Sequence, residues 1–166
     1  STLPLVGCGD DPLDVRFLHG IASGDPLSDR VILWTRVTPP SGNTADIPVQ
    51  WEVATDASFS TLVAQGDTST NAARDYTVKV DATGLQAATR YYYYRFHAYN
   101  ATTATGRTRT LPSGNVSQVK LAVFSCANYP AGYFNVYADA AKRNDLDATV
   151  HLGDYIYEYK AGTDQY

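Results

Sequence analysis

Methionine is absent from all 166 residues, the first included. The chain therefore reads as a processed product or a fragment. Glutamate is nearly absent: only Glu52 and Glu158 occur, and aspartate supplies the other acids. Positive charge is not in excess, with Lys plus Arg at 13 against 17 for Asp plus Glu and a net charge of -4. That mild acidity argues against a nucleic-acid groove, which needs a basic stripe. It also gives no electrostatic reason to lie on an anionic membrane. No apolar run approaches the roughly 20 residues of a membrane span. Cysteine is limited to Cys8 and Cys126. Two are compatible with one disulfide, but not with a disulfide framework or a CxxC zinc cluster. What is present is a globular composition, 44% hydrophobic and 18% charged. Asp, Gly, Thr, Ser and Tyr are prominent, and these favour turns and strands.

Residues 1–14 read as an irregular N-terminal tail. Leu5-Val6-Gly7-Cys8 followed by acids resembles the end of a bacterial lipoprotein signal, in which Cys8 would carry a lipid anchor. A plain tail with a chance cysteine is the simpler reading. From residue 15 to 112 the pattern is short strands broken by turns, as in a β-sandwich. Val31–Val37 is one strand, stopped by Pro39-Pro40-Ser41-Gly42. Val49, Trp51 and Val53 alternate with Gln50 and Glu52, and Tyr76, Val78 and Val80 with Thr77, Lys79 and Asp81. Period two places one set inside. Trp51, Val53, Val78 and Val80 are therefore expected to be buried, with Lys79 and Asp81 exposed. A long strand is expected over Thr89–Tyr99. The segment Leu85–Tyr91 resembles the corner of fibronectin-type sandwiches, where a tyrosine hydroxyl bonds back to the preceding turn. Counting from Leu85 selects Tyr91, whereas alternation selects Tyr92. The tyrosine run 91–94 fits both faces of a pleated strand better than an aromatic binding platform.

After Ser113-Gly114-Asn115 the pattern changes. Val119–Phe124 is a nearly continuous apolar run, expected as a strand buried on both faces. Tyr133–Arg143 has Phe134, Tyr137, Ala138 and Ala141 at helical spacing, with Lys142 and Arg143 suited to its end. Ala148–Leu152 is a second strand. Residues 113–166 thus read as a βαβ unit that opens a second domain. Ligands of such sheets gather beyond the C-terminal strand ends. Cys126 and Asp154 each stand just past a strand end. If the strands are neighbours their side chains start about 5 Å apart, close enough to share a metal ion. Each has a duller reading: a buried structural cysteine for Cys126, a turn cap for Asp154. Tyr157 is either core or surface. His151, inside the strand, reads as a hydrogen-bonded structural histidine, and His19 and His97 receive no role.

Five separated segments resemble one family. They are Phe17–Pro26 (FLHGIASGDP), Val31–Arg36 (VILWTR), Gly106–Thr110 (GRTRT), Phe124-Ser125-Cys126 and His151–Glu158 (HLGDYIYE). In this order they are similar to the PhoD-like alkaline phosphatases, which include phosphodiesterases and an iron-dependent phospholipase D. The resemblance implies a fibronectin- or immunoglobulin-like β-sandwich followed by the start of an α/β metallophosphoesterase domain. It implies a ferric iron and calcium centre, with Cys126 and Tyr157 on iron and Asp154 bridging the metals as the catalytic carboxylate. Thiolate, phenolate and carboxylate are anionic donors that suit trivalent iron, and a carboxylate also suits a harder cation. Purple acid phosphatases have the same Gly-Asp-x-x-Tyr spacing but an aspartate in place of Cys126. The resemblance further implies phosphate-ester substrates, a remaining part of the catalytic domain as partner, and a secreted, periplasmic or cell-surface location of bacterial type. Cys126 is then expected to be reduced and not bonded to Cys8. The competing reading is a fibronectin-like binding module without catalysis.

Overall fold

The computed structural model describes residues 13–87 and 91–157. The tail with Cys8, the first residues of the expected 89–99 strand and Glu158 lie outside them. Two compact units divide the chain, Ser1–Gly114 and Asn115–Tyr166.

The first unit contains two antiparallel sheets. One has the order β1 (Ile21–Gly24), β2 (Arg30–Arg36), β5 (Thr77–Thr83). The other has the order β4 (Leu62–Thr70), β3 (Ile47–Ala54), β6 (Tyr92–Ala98), β7 (Ala101–Thr102), and β8 (Gly106–Thr108) also pairs with β6. Alternate residues of both sheets meet in one core: Val31, Leu33 and Val78 from the first, Ile47, Val49, Val53, Tyr94 and Phe96 from the second. Period-two patterning produces this directly, because successive side chains of a strand point to opposite faces. Polar groups drawn into the core are satisfied. The Thr35 hydroxyl donates to the Gly20 carbonyl at 2.9 Å and that of Thr70 to the Thr77 carbonyl at 2.7 Å.

Of the two candidate corner tyrosines, Tyr92 closes back on the turn. Its hydroxyl donates to the Gln86 carbonyl at 3.1 Å and accepts the Gln86 N–H at 3.0 Å. Alternation along β6 decides this, since it buries Tyr92, Tyr94, Phe96 and Ala98 and leaves Tyr93 half-exposed.

Val53 and Val78 are buried and Lys79 and Asp81 exposed, as the alternation predicts. Trp51 and Val80 are only half-buried, which corrects the expectation for both. Val80 lies on β5, an edge strand of its sheet. Trp51 stands opposite Gly66 in the β3–β4 register. Its indole lies so close over that glycine that an added Cβ would come within 2.9 Å of the ring. With no side chain opposite it, the indole lies over β4, partly buried and packed against the edge of the core.

In the second unit β9 (Leu121–Phe124) and β10 (Ala148–His151) pair in parallel, with Leu121 opposite Ala148 and Phe124 opposite His151. Of the helix expected over Tyr133–Arg143, Asn135–Ala141 forms α2, and a further short helix, α1 (Tyr129–Gly132), precedes it. Pro130 falls in the first turn of α1, where its missing N–H costs nothing. The break is at Tyr133 and Phe134, both left-handed with φ of 51° and 58°. Aromatic packing holds them there: the Tyr129 ring lies 5.5 Å from Tyr133 and 5.1 Å from Phe134, centroid to centroid. The expectation that both strands are buried on two faces is also corrected. Leu121, Val123 and Val150 are exposed, because among the described residues the sheet has two strands only.

One glycine limits the packing of the first unit. A Cβ on Gly106 would lie 2.4 Å from the Tyr94 ring and 2.7 Å from Ile21 Cδ1. Gly106→Ala is expected to destabilise this unit by about 1–3 kcal/mol through overpacking. Gly24, with nothing near its Cβ position, should accept alanine with a change within about 0.5 kcal/mol. Urea unfolding of the two variants measures the difference.

Candidate metal centre

The parallel ladder continues past both strand ends. Leu152 N–H donates to the Phe124 carbonyl at 2.8 Å, and Cys126 N–H to the Gly153 carbonyl at 3.1 Å. The two loops that leave the sheet are thereby tied to each other. Each then turns through a left-handed residue that is not glycine, Cys126 at φ 54° and Asp154 at φ 50°, the latter preceded by Gly153 at φ 131°. Such conformations cost roughly 1–3 kcal/mol each and persist where the surroundings enforce them.

Their effect is to bring three side chains onto one oxygen. Cys126 Sγ lies 3.4 Å from Asp154 Oδ2, and the Tyr157 hydroxyl lies 3.2 Å from the same atom. The residues singled out in the sequence, Cys126, Asp154 and Tyr157, thus converge. Cys126 is a free and exposed thiol. The Cys126 thiol beside it is the main cause that raises the Tyr157 phenol above its ordinary range, followed by partial desolvation and the Asp154 carboxylate. Three potential anionic donors thus share one small space.

Beside Cys126 opens a depression of about 650 Å³, lined in part by Phe124, Ser125, Asn128, Phe134, Asn135 and Tyr137. Two of the described cations of this unit lie elsewhere. Lys120, before β9, reaches Asp145 at 3.1 Å, and Arg143 reaches the same carboxylate at 2.8 Å. These residues cluster where the strands begin, and the two charges hold the Asp145 carboxyl well below its usual range, Arg143 contributing most. Arg107 lies over the Tyr91 ring at 4.1 Å in the first unit.

Two residues near the site carried no functional reading in the sequence. The Tyr137 hydroxyl lies 2.9 Å from His151 Nε2, and Gly153 N–H donates to His151 Nδ1 at 3.3 Å. His151 is accordingly hydrogen-bonded on both nitrogens. The sequence signals for this partnership are its place three residues before Asp154 and its position at the head of the segment His151–Glu158.

Family models match both parts of the chain. The N-terminal domain of PhoD-like phosphatases matches residues 7–112, and the PhoD-like phosphatase domain matches residues 121–166. The chain belongs to the PhoD-like phosphatase family. It is 43% identical over 150 residues to alkaline phosphatase D of Bacillus subtilis (strain 168), an overlap of 86% of this chain and 25% of that protein. A solved structure described as that of PhoD superposes with a TM-score of 0.78 at 43% identity, over 84% of this chain and 28% of the other. The chain therefore spans about a quarter of the length of the curated relative it matches. The motifs at Gly106–Thr110, Phe124–Cys126 and His151–Tyr157 point to the same family as the full comparison.

The exposure of Cys126 has a direct consequence. Iodoacetamide should alkylate it in the folded, metal-free protein, with the adduct located by peptide mass spectrometry. Labelling only after denaturation would contradict the geometry described.

Proposed function

We propose that the complete protein hydrolyses phosphate mono- or diesters, phospholipids among the diesters, at a metal centre to which Cys126, Asp154 and Tyr157 contribute. The observation that carries this reading is the meeting of thiol and phenol on Asp154 Oδ2 at the C-terminal ends of two parallel strands, where ligands of α/β sheets gather. The donor set fits the metals that the family resemblance implies. A thiolate and a phenolate are strong anionic donors for ferric iron, and a carboxylate with two oxygens can also reach a neighbouring calcium. When bound, the metals would supply Lewis-acid polarisation of the phosphoryl oxygens.

The protein's own part is to hold these donors at fixed spacing before any metal enters. Cys126 and Asp154 are fixed by the shared backbone bond of their loops, and Tyr157 by its hydrogen bond to Asp154. On this reading the first unit is a fibronectin- or immunoglobulin-like sandwich, and β9, the two helices and β10 open the metallophosphoesterase domain. The remaining part of that domain is the natural partner of the exposed Leu121, Val123 and Val150. A secreted, periplasmic or cell-surface location, with a lipid anchor at Cys8, completes the proposal. A binding module without catalysis has no use for three metal donors converging on one atom.

Iron content tests the reading. The complete protein should carry iron with a visible charge-transfer band, and Cys126→Ser should lose most of that iron, because a hydroxyl is a poorer donor than a thiolate. Asp154→Asn should abolish hydrolysis of an aryl phosphodiester. Residues 1–166 alone should hydrolyse it no faster than buffer with the same metals, because three donors are only a partial shell. Iron-free complete protein with full activity would overturn the proposal.

A further inference from the structure

The metal donors are held by a line of contacts that starts in α2. The Tyr137 ring lies edge-on to Phe124 with centroids 4.9 Å apart, and against Phe134 at 5.3 Å. Desolvation, more than the nearby Tyr155, raises the Tyr137 phenol above its ordinary range. Its hydroxyl lies 2.9 Å from His151 Nε2. The other ring nitrogen, Nδ1, accepts the Gly153 N–H. A neutral imidazole carries one hydrogen, so the bond from Gly153 places it on Nε2, facing the Tyr137 oxygen. Tyr155 closes on the ring at a centroid distance of 4.9 Å. The imidazole thus has one tautomer and one orientation.

Gly153 is consequently gripped on both sides. Its N–H is held by His151, and its carbonyl accepts the Cys126 N–H. We infer that Tyr137 and His151 are positioning residues which, through Gly153, fix the spacing of Cys126 and Asp154. The inference rests on the reading of Cys126, Asp154 and Tyr157 as metal donors, where partners one step removed from a ligand commonly set its orientation. It assigns His151 a role beyond that of a satisfied strand histidine, and it makes the placement of α2 part of the site.

Three variants of the complete protein test it. His151→Leu removes both hydrogen bonds, Tyr137→Phe removes one oxygen, and His151→Asn keeps an acceptor where Nδ1 stands. In metal-free protein, amide hydrogen exchange at Gly153 and Cys126 should rise about tenfold in His151→Leu, the equivalent of one lost hydrogen bond. It should rise less in Tyr137→Phe and return towards the parent in His151→Asn. With iron, His151→Leu should weaken metal affinity by about 10–100-fold and shift the charge-transfer band. Unchanged exchange at Gly153 and Cys126 in His151→Leu overturns the inference. Should that variant not fold, unchanged exchange in Tyr137→Phe does so. If the parent binds no iron while exchange rises in the variants, the metal reading fails and the positioning of the strand ends stands.

Discussion

The parallel register of β9 and β10 is the constraint on which the second unit depends. Phe124 lies opposite His151, and every later contact follows from that alignment. Leu152 bonds back to Phe124, and Cys126 bonds to Gly153. A shift of one residue would turn each side chain to the other face of the sheet. It would also separate Cys126 from Asp154, which lie 28 positions apart in sequence and meet through one oxygen. A long-range pairing therefore does what no local motif can, since neither loop carries the site alone.

Much of this was legible in the residues. Apolar runs ending in Ser-Cys and Gly-Asp identify strand ends, and strand ends of α/β sheets are where ligands collect. The alternation in β6 likewise selects Tyr92 over Tyr91, because only one of two adjacent residues can face the core. The illegible features depend on partners that are remote or conformational. Trp51 has the alternation of a core residue, yet it covers Gly66, a neighbour revealed only by the β3–β4 register. The break between α1 and α2 at Tyr133 and Phe134 contains no proline. Its cause is the clustering of four aromatic rings, Tyr129, Tyr133, Phe134 and Tyr137. Composition shows the rings but not that they prefer each other to a continuous helix. Burial of Leu121, Val123 and Val150 was inferred from their apolarity. Apolarity states that a strand face needs cover, not which segment supplies it.

The two units handle polar groups in opposite ways. In the first, side chains that enter the core are satisfied by backbone: Thr35 by Gly20, Thr70 by Thr77, Thr110 by Gln86 at 2.7 Å, and Tyr92 by Gln86. Its charged groups pair across strands on the outer faces, as Glu52 does with Arg95 at 2.8 Å and with His97 at 3.2 Å. Polar chemistry there is closed by geometry that leaves little for a ligand to complete. In the second unit, an exposed thiol and a phenol both donate to one carboxylate oxygen, and the phenol is raised by the crowding. Such a cluster is stable enough to form and still unbalanced in charge once deprotonated. That combination is what a cation site requires.

Backbone strain alone would not have distinguished the two units. Left-handed non-glycine residues occur throughout, at Asp25, Phe59, Asp75, Tyr76 and Tyr99 in the first unit as well as at Cys126 and Asp154 in the second. Two of those in the first unit have local reasons. Asp75 caps a 3-10 turn and sends its N–H to Ala72, and Tyr76 follows it with its N–H on Asn71 at 2.9 Å. At Cys126 and Asp154 the left-handed turns come in a facing pair, on loops joined by the Cys126–Gly153 bond, and their side chains meet. Either turn alone is a common way to leave a strand. Two of them opposed across a parallel ladder, with a third donor arriving from Tyr157, serve no need of the sheet itself. The strain is matched by the meeting of the side chains, which is why convergence, and not conformation, marks the candidate site.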